Sequence, residues 1–176
     1  MRPFGAAILA LALTALPRLA TAADATVDPP PPAALDEKSV AAWAAQHLTG
    51  DGWTLVNFDA EGIRLATPDG VSLMSDGLVE TDIRHELFTP IKLSFGQARS
   101  GLAHWAVDCA RKRFAVVSSV AYSHNNLVGE VARRQGDRRR FQAPIASEID
   151  TLDAVCEAIR TGRRLDGPVA KPGKSS

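Results

Sequence analysis

The sequence predicts an α+β domain. It reads as a twisted antiparallel sheet of about five to seven strands, a C-terminal helix disulfide-bonded to one face, and a short N-terminal helix. Three observations predict it. Between residues 53 and 132, apolar and polar residues alternate in runs with the two-residue period of strands. Apolar residues recur at three- and four-residue spacing on either side of those runs. The chain also has only two cysteines, Cys109 closing a strand-like run and Cys156 on the apolar stripe of the last helix.

The cysteines take their meaning from the start of the chain. Arg2, an apolar run from Phe4 to Leu16, and Ala20-Thr21-Ala22 follow the plan of a secretory signal cleaved near Ala22. The run is 13 residues long, short of the roughly 20 that span a bilayer. No transmembrane segment is expected, and no cysteine follows Ala22 for lipid attachment. The expected location is the periplasm or the exterior. An even cysteine count there favours one structural disulfide over a catalytic thiol or a metal site. Without Arg2 and Arg18, the 20 basic residues become 18 against 20 acidic ones, a net of −2. That balance excludes a dedicated nucleic-acid binder, which carries a basic excess.

Residues 23–33 hold Pro29-Pro30-Pro31-Pro32 and read as a linker, since four prolines fit neither a helix interior nor a central strand. Residues 162–176 read as a disordered tail, leaving 34–161 as a single domain. Val40, Trp43, Ala44, His47 and Leu48 give the first helix, with Asp36 and Glu37 at its start and Gly50 past its end. Trp53 to Phe58 and Ile63 to Ala66 flank a hairpin loop, and Pro68-Asp69-Gly70 makes a turn before Val71 to Met74. From Leu78 to Leu87, Val79, Thr81, Ile83, His85 and Leu87 alternate with Glu80, Asp82, Arg84 and Glu86. That pattern predicts a half-buried strand with its charges on a wet face. Leu102 to Cys109, Phe114 to Tyr122 and Leu127 to Ala132 supply three further strands. Ser147 is the expected cap of the last helix, whose stripe is Ile149, Leu152, Val155, Cys156 and Ile159, with Gly162 ending it. A Cys109–Cys156 bond would staple this helix to the sheet. The first helix is expected at an edge or on that same face.

The second half carries a family pattern. Trp105-Ala106-Val107-Asp108-Cys109 precedes Arg111-Lys112-Arg113, a strand ending in Tyr122, and a strand containing Gly129. A basic segment ending in Phe141, then Pro144-Ile145-Ala146-Ser147, leads to a helix with Val155-Cys156. Over about residues 102–159 this order resembles the surface-adhesin protein E family of exported bacterial proteins. The resemblance implies an antiparallel sheet with the C-terminal helix disulfide-bonded to one face, and an adhesin-like binding role.

No reaction is written in the motifs. His47, His85, His104 and His124 lack metal-ligand spacing, and no cofactor or metal is expected. His85 and His104 fall on strand runs and would form an enzyme site only with Asp82 or Asp108 beside them. No Gly-x-Ser-x-Gly elbow surrounds Ser118-Ser119. Trp43, Trp53, Trp105, Tyr122 and Phe141 read as core residues.

The basic residues are the stronger site. Arg133, Arg134, Arg138, Arg139 and Arg140 surround an expected hairpin turn, and Arg111, Lys112 and Arg113 lie at another loop. On neighbouring loops they would suit a polyanionic glycan or an acidic protein partner. The sequence thus predicts a non-enzymatic binding module of the bacterial envelope, acting through these loops or the sheet face. The alternatives are a small periplasmic enzyme with a His/carboxylate site, and a structural homo-oligomer, such as a homodimer, joined through a sheet edge.

Overall fold

Asp36 opens the first helix, its carboxylate accepting the Ser39 backbone N–H at 2.9 Å. Helix α1 (Glu37–His47) buries Val40 and Trp43. The chain then enters β1 (Thr54–Phe58), β2 (Gly62–Ala66) and the short β3 (Ser72–Leu73). The strands β4 (Val79–Leu93), β5 (Gly96–Asp108), β6 (Arg113–His124) and β7 (Val128–Gln135) precede helix α2 (Ala146–Thr161). The computed structural model describes residues 27–50, 52–67 and 71–161. The signal sequence, Pro68-Asp69-Gly70 and the tail from Gly162 lie outside the described residues.

Seven antiparallel strands form one sheet in the order β1-β2-β4-β5-β6-β7, with β3 pairing the start of β4. Asp59 closes the β1–β2 hairpin by accepting the Glu61 and Gly62 N–H groups at 2.8 and 3.1 Å. Gly62 then passes so close to β4 that a Cβ there would lie 2.2 Å from the Glu86 carbonyl oxygen. The turn after β6 runs through Asn126 and Leu127, both with positive φ, at 63° and 58°. A left-handed leucine is strained and needs its surroundings to hold it.

The two helices cover opposite faces, which corrects the shared-face alternative; α1 packs on the other face, toward the β1 edge. On β2, Ile63 and Leu65 pack with Val40, Trp43 and Phe88, whereas Ala66 joins Leu152, Ala154 and Val155 of α2. The α2 core also takes in Val56, Val79 and Ile83, with Trp105 stacked on Phe114 at 4.2 Å between ring centroids. Cys109 and Cys156 are disulfide-bonded, their Cα atoms 5.6 Å apart, so the helix is stapled to the sheet as expected.

Four local readings need correction. Ser147 does not cap α2, because the helix already runs from Ala146; the Ile145 N–H donates to the Glu148 carboxylate at 2.9 Å instead. Ile149 leaves the buried stripe and is 44% exposed. Of the five aromatics, Trp43 and Trp105 are core residues, while Trp53, Tyr122 and Phe141 are half-buried. Finally, β4 and β5 run past the expected strands, pairing again from Ile91↔Ala98 to Leu93↔Gly96 after a register shift. This arm ends at Phe95, whose ring lies 5.7 Å beneath the Arg134 guanidinium of β7.

The described part of the segment read as a linker is fastened to the domain. Asp28 accepts the Asn125 N–H at 2.9 Å and lies 3.3 Å from Arg99 and 3.1 Å from His124. Two residues on, the Pro30 carbonyl accepts the Trp43 indole N–H at 2.6 Å.

Candidate functional site

Five of the eight basic residues are matched by carboxylates. Arg133 and Arg134 continue β7, and the chain from Gly136 to Ile145 crosses from that strand to α2 rather than turning a hairpin. Phe114 and Gln142 pin this crossing to β6 through a bridge, and Arg113 lies 5.3 Å over the Phe141 ring.

Most of these cations face carboxylates. Arg133 pairs with Glu130 at 2.8 Å, and Arg138 reaches Glu80 at 2.6 Å and Asp76 at 2.9 Å. Arg111 and Arg113 share Asp108 at 3.1 and 3.4 Å, and Lys112 pairs with Asp153 of α2. A cation held by a carboxylate has less attraction left for a second anion. Arg134, Arg139 and Arg140 are different: among the described residues none has an acidic partner within ion-pair distance. All three are exposed.

The histidine reading fares differently. Asp82 and His104 are register partners, and His104 bonds Asp82 at 2.9 Å and approaches Glu80 at 3.5 Å. His85 lies three residues beyond Asp82 with the register unbroken, so its side chain points to the opposite face. There it sits across from Arg64, its partner on β2. Asp108 is taken up by arginines. The sheet therefore separates His85 from His104 and Asp82, and the site imagined from them is not assembled. Among the described residues no group of three or more His, Cys, Asp or Glu side chains is placed to hold a metal.

Burial, with Arg64 adding to it, depresses the pKa of His85 to about 4. The ring is thus neutral in the folded chain and protonates once unfolded, so stability is full above about pH 6.5 and falls as pH drops toward about 4. The loss over that window is roughly 3 kcal/mol. Urea unfolding at neutral and acidic pH is expected to show it in the wild type and to show a shallower decline in His85→Gln. Parallel declines in the two proteins would refute the assignment.

The sequence reading missed the most heavily bonded polar cluster. Arg84 and Glu86 alternate with core residues and were expected in water, yet both are buried. Arg84 binds Glu86 through Nε at 2.6 Å and Nη2 at 2.5 Å, and reaches the Thr49 carbonyl after α1 at 2.7 Å. Glu86 accepts the Asn125 side-chain amide at 2.8 Å and the Asn126 N–H at 3.1 Å. Asn126 in turn accepts the Thr49 N–H and donates to the His47 carbonyl. Burial raises the pKa of Glu86, opposed by Arg84 and the asparagine bonds. The cluster ties the strained turn to the end of α1. The one sequence signal for it was Asn125-Asn126, since asparagine tolerates left-handed turn positions.

A cavity of about 1090 Å³ lies beside the disulfide, lined by Leu55, Phe58 and Leu73 and by Ile159 of α2, with Lys112 and Asp153 at its rim. Glu37 and Asp150 also line it, so its ionisable residues carry an excess of carboxylates over the Lys112–Asp153 and Arg160–Glu157 pairs.

Residues 53–157 match the family described as Surface-adhesin protein E, so the resemblance seen over 102–159 extends back to the first strand. None of the curated proteins matches the chain. Among solved structures, crystal form II of protein E from Haemophilus influenzae is 13% identical, covering 62% of this chain and 90% of that one, with a TM-score of 0.43. Protein E from non-typeable Haemophilus influenzae is 12% identical, covering 67% and 84%, with a TM-score of 0.45. The chain, matched over more than half its length, belongs to the surface-adhesin protein E family.

Proposed function

We propose that this protein is an exported, non-enzymatic binding module of the bacterial envelope that engages acidic protein or polyanionic glycan surfaces through Arg134, Arg139 and Arg140. The observation that carries this reading is the contrast among the basic residues. Arg111, Lys112, Arg113, Arg133 and Arg138 face carboxylates, whereas the guanidinium groups of these three have no carboxylate within ion-pair distance among the described residues. Arg134 also lies over Phe95, itself 40% exposed. Arginine and aromatic residues are both enriched in protein interfaces.

Heparin chromatography tests the reading. Arg139→Ser/Arg140→Ser is expected to elute at clearly lower salt than the wild type, because each phosphate- or sulfate-contacting cation adds to the salt dependence of polyanion binding. Arg138→Ser removes a cation already matched by Glu80 and Asp76 and is expected to elute close to the wild type. Equal elution of all three proteins, or flow-through of the wild type, would sink the proposal.

A second reading rests on β7. This strand pairs only with β6 among the described residues, and its residues are mostly exposed. A homodimer joined along that edge would satisfy its outward backbone groups.

A further inference from the structure

We propose that Arg99, His124 and the Asn125 backbone N–H form a carboxylate receptor, that Asp28 is its tethered ligand, and that the receptor takes a carboxylate from solution when the N-terminal segment is displaced. Three donors from β5, the end of β6 and the following turn converge on one side chain. Arg99 Nη1 lies 3.3 Å and His124 Nδ1 3.1 Å from Asp28 Oδ2, and the Asn125 N–H donates to Oδ1 at 2.9 Å. The convergence of a guanidinium, an imidazole and a backbone amide is suited to a planar, two-oxygen anion.

Two of the three donors, and the backbone of the third, are held without help from the ligand. The other amino group of Arg99, Nη2, donates to the Phe88 carbonyl at 2.7 Å. The His124 carbonyl accepts the Ser100 hydroxyl at 2.6 Å. The Asn125 side chain donates to Glu86 at 2.8 Å and to the Leu87 carbonyl at 3.2 Å. The Arg99 guanidinium and the Asn125 backbone therefore stay in place if Asp28 leaves, and the His124 backbone is fixed beside them, which is most of what preorganisation requires. An empty receptor would leave the largely buried Arg99 without a counter-charge, because Glu86 is already committed to Arg84.

The ligand is far less firmly held. Val27 is 91% exposed, and the prolines at 29–32 have no N–H to donate. Beyond Asp28 itself, the hydrogen bond from Trp43 to the Pro30 carbonyl is the polar anchor of this segment among the described residues. Tethering gives Asp28 a high effective concentration, so in the intact protein a free carboxylate competes poorly.

The test is thermal unfolding of Asp28→Gly in sodium acetate against sodium chloride at equal ionic strength. A ligand that binds only the folded state raises the melting temperature, here by about 2–4 °C for acetate a few-fold above its Kd. The wild type, its receptor occupied, is expected to melt alike in both salts, and Asp28→Gly/Arg99→Gln is expected to lose the acetate response. Identical melting of Asp28→Gly in the two salts, or an acetate response that survives in the double variant, overturns the proposal. A larger effect of phosphate than of acetate overturns the assignment to carboxylates. Should Asp28→Gly fail to fold, Asp28→Asn replaces it, read through the Asn125 amide resonance; a resonance that does not move on acetate addition counts against the receptor.

Discussion

Glu86→Ala is expected to cost about 3–5 kcal/mol, the range for removing one partner from a buried ion pair. The loss does not stop at the salt bridge. Arg84, with 3% of its side chain exposed, keeps its charge in the interior with no carboxylate to offset it. The Asn125 amide loses its shortest hydrogen bond and the Asn126 N–H its carboxylate acceptor, at the turn where Asn126 and Leu127 hold positive φ. A strained turn persists only while its surroundings over-determine it. Denaturant midpoints of Glu86→Ala, Arg84→Met and the double variant check this. The double variant should lie above Glu86→Ala, since it leaves no stranded charge. A single-variant cost below about 1 kcal/mol would mean that the pair is solvated enough to behave like a surface bridge.

Cys109→Ser/Cys156→Ser is expected to lower stability by about 4 kcal/mol, the loop-closure entropy that a bond across 47 residues removes from the unfolded chain. For one domain of this size that is a sizeable share of total stability. The same result is expected from reduction in mild denaturant, with the midpoint falling while the unfolding slope changes because the unfolded chain expands. A midpoint that moves by less than the equivalent of about 1 kcal/mol would show that α2 is held by Leu152, Ala154 and Val155 almost unaided.

What could be read from the sequence was what has a local cause. Asp36 with its following apolar stripe located α1, and Asp59-Ala60-Glu61-Gly62 located the first hairpin, because caps and turns act within four residues. The disulfide was legible because two cysteines leave a single internal pairing. Arg84 and Glu86 were misread because alternation reports one covered face of a strand, and here α1 and the Asn125–Leu127 turn cover the second face locally. No local pattern distinguishes a charge pair in water from one that finds its partners in the fold. The arm was missed because Pro90 and Gly96 interrupt the alternation on which strand recognition depends. Among the basic residues, composition located the clusters, but the counter-charges of Lys112 and Arg138 came from Asp153, Asp76 and Glu80, distant in sequence. The anchoring of Asp28 likewise joins residues nearly a hundred positions apart.

The sheet order bears on how the chain reaches this state. From β4 to β7 every strand lies beside its neighbour in sequence, so each pairing closes only a short loop. The docking of α2 on β1, marked by the Asn57 amide on the Ser147 carbonyl, instead joins segments 90 residues apart. Such a contact becomes favourable only after the intervening strands have shortened the path between its ends. Cys156 rides on that helix and Cys109 waits at the end of β5, so their sulfurs meet when the last segment arrives. Oxidation then acts as a ratchet on an almost finished fold: it fixes the docked helix and leaves strand pairing to be settled beforehand.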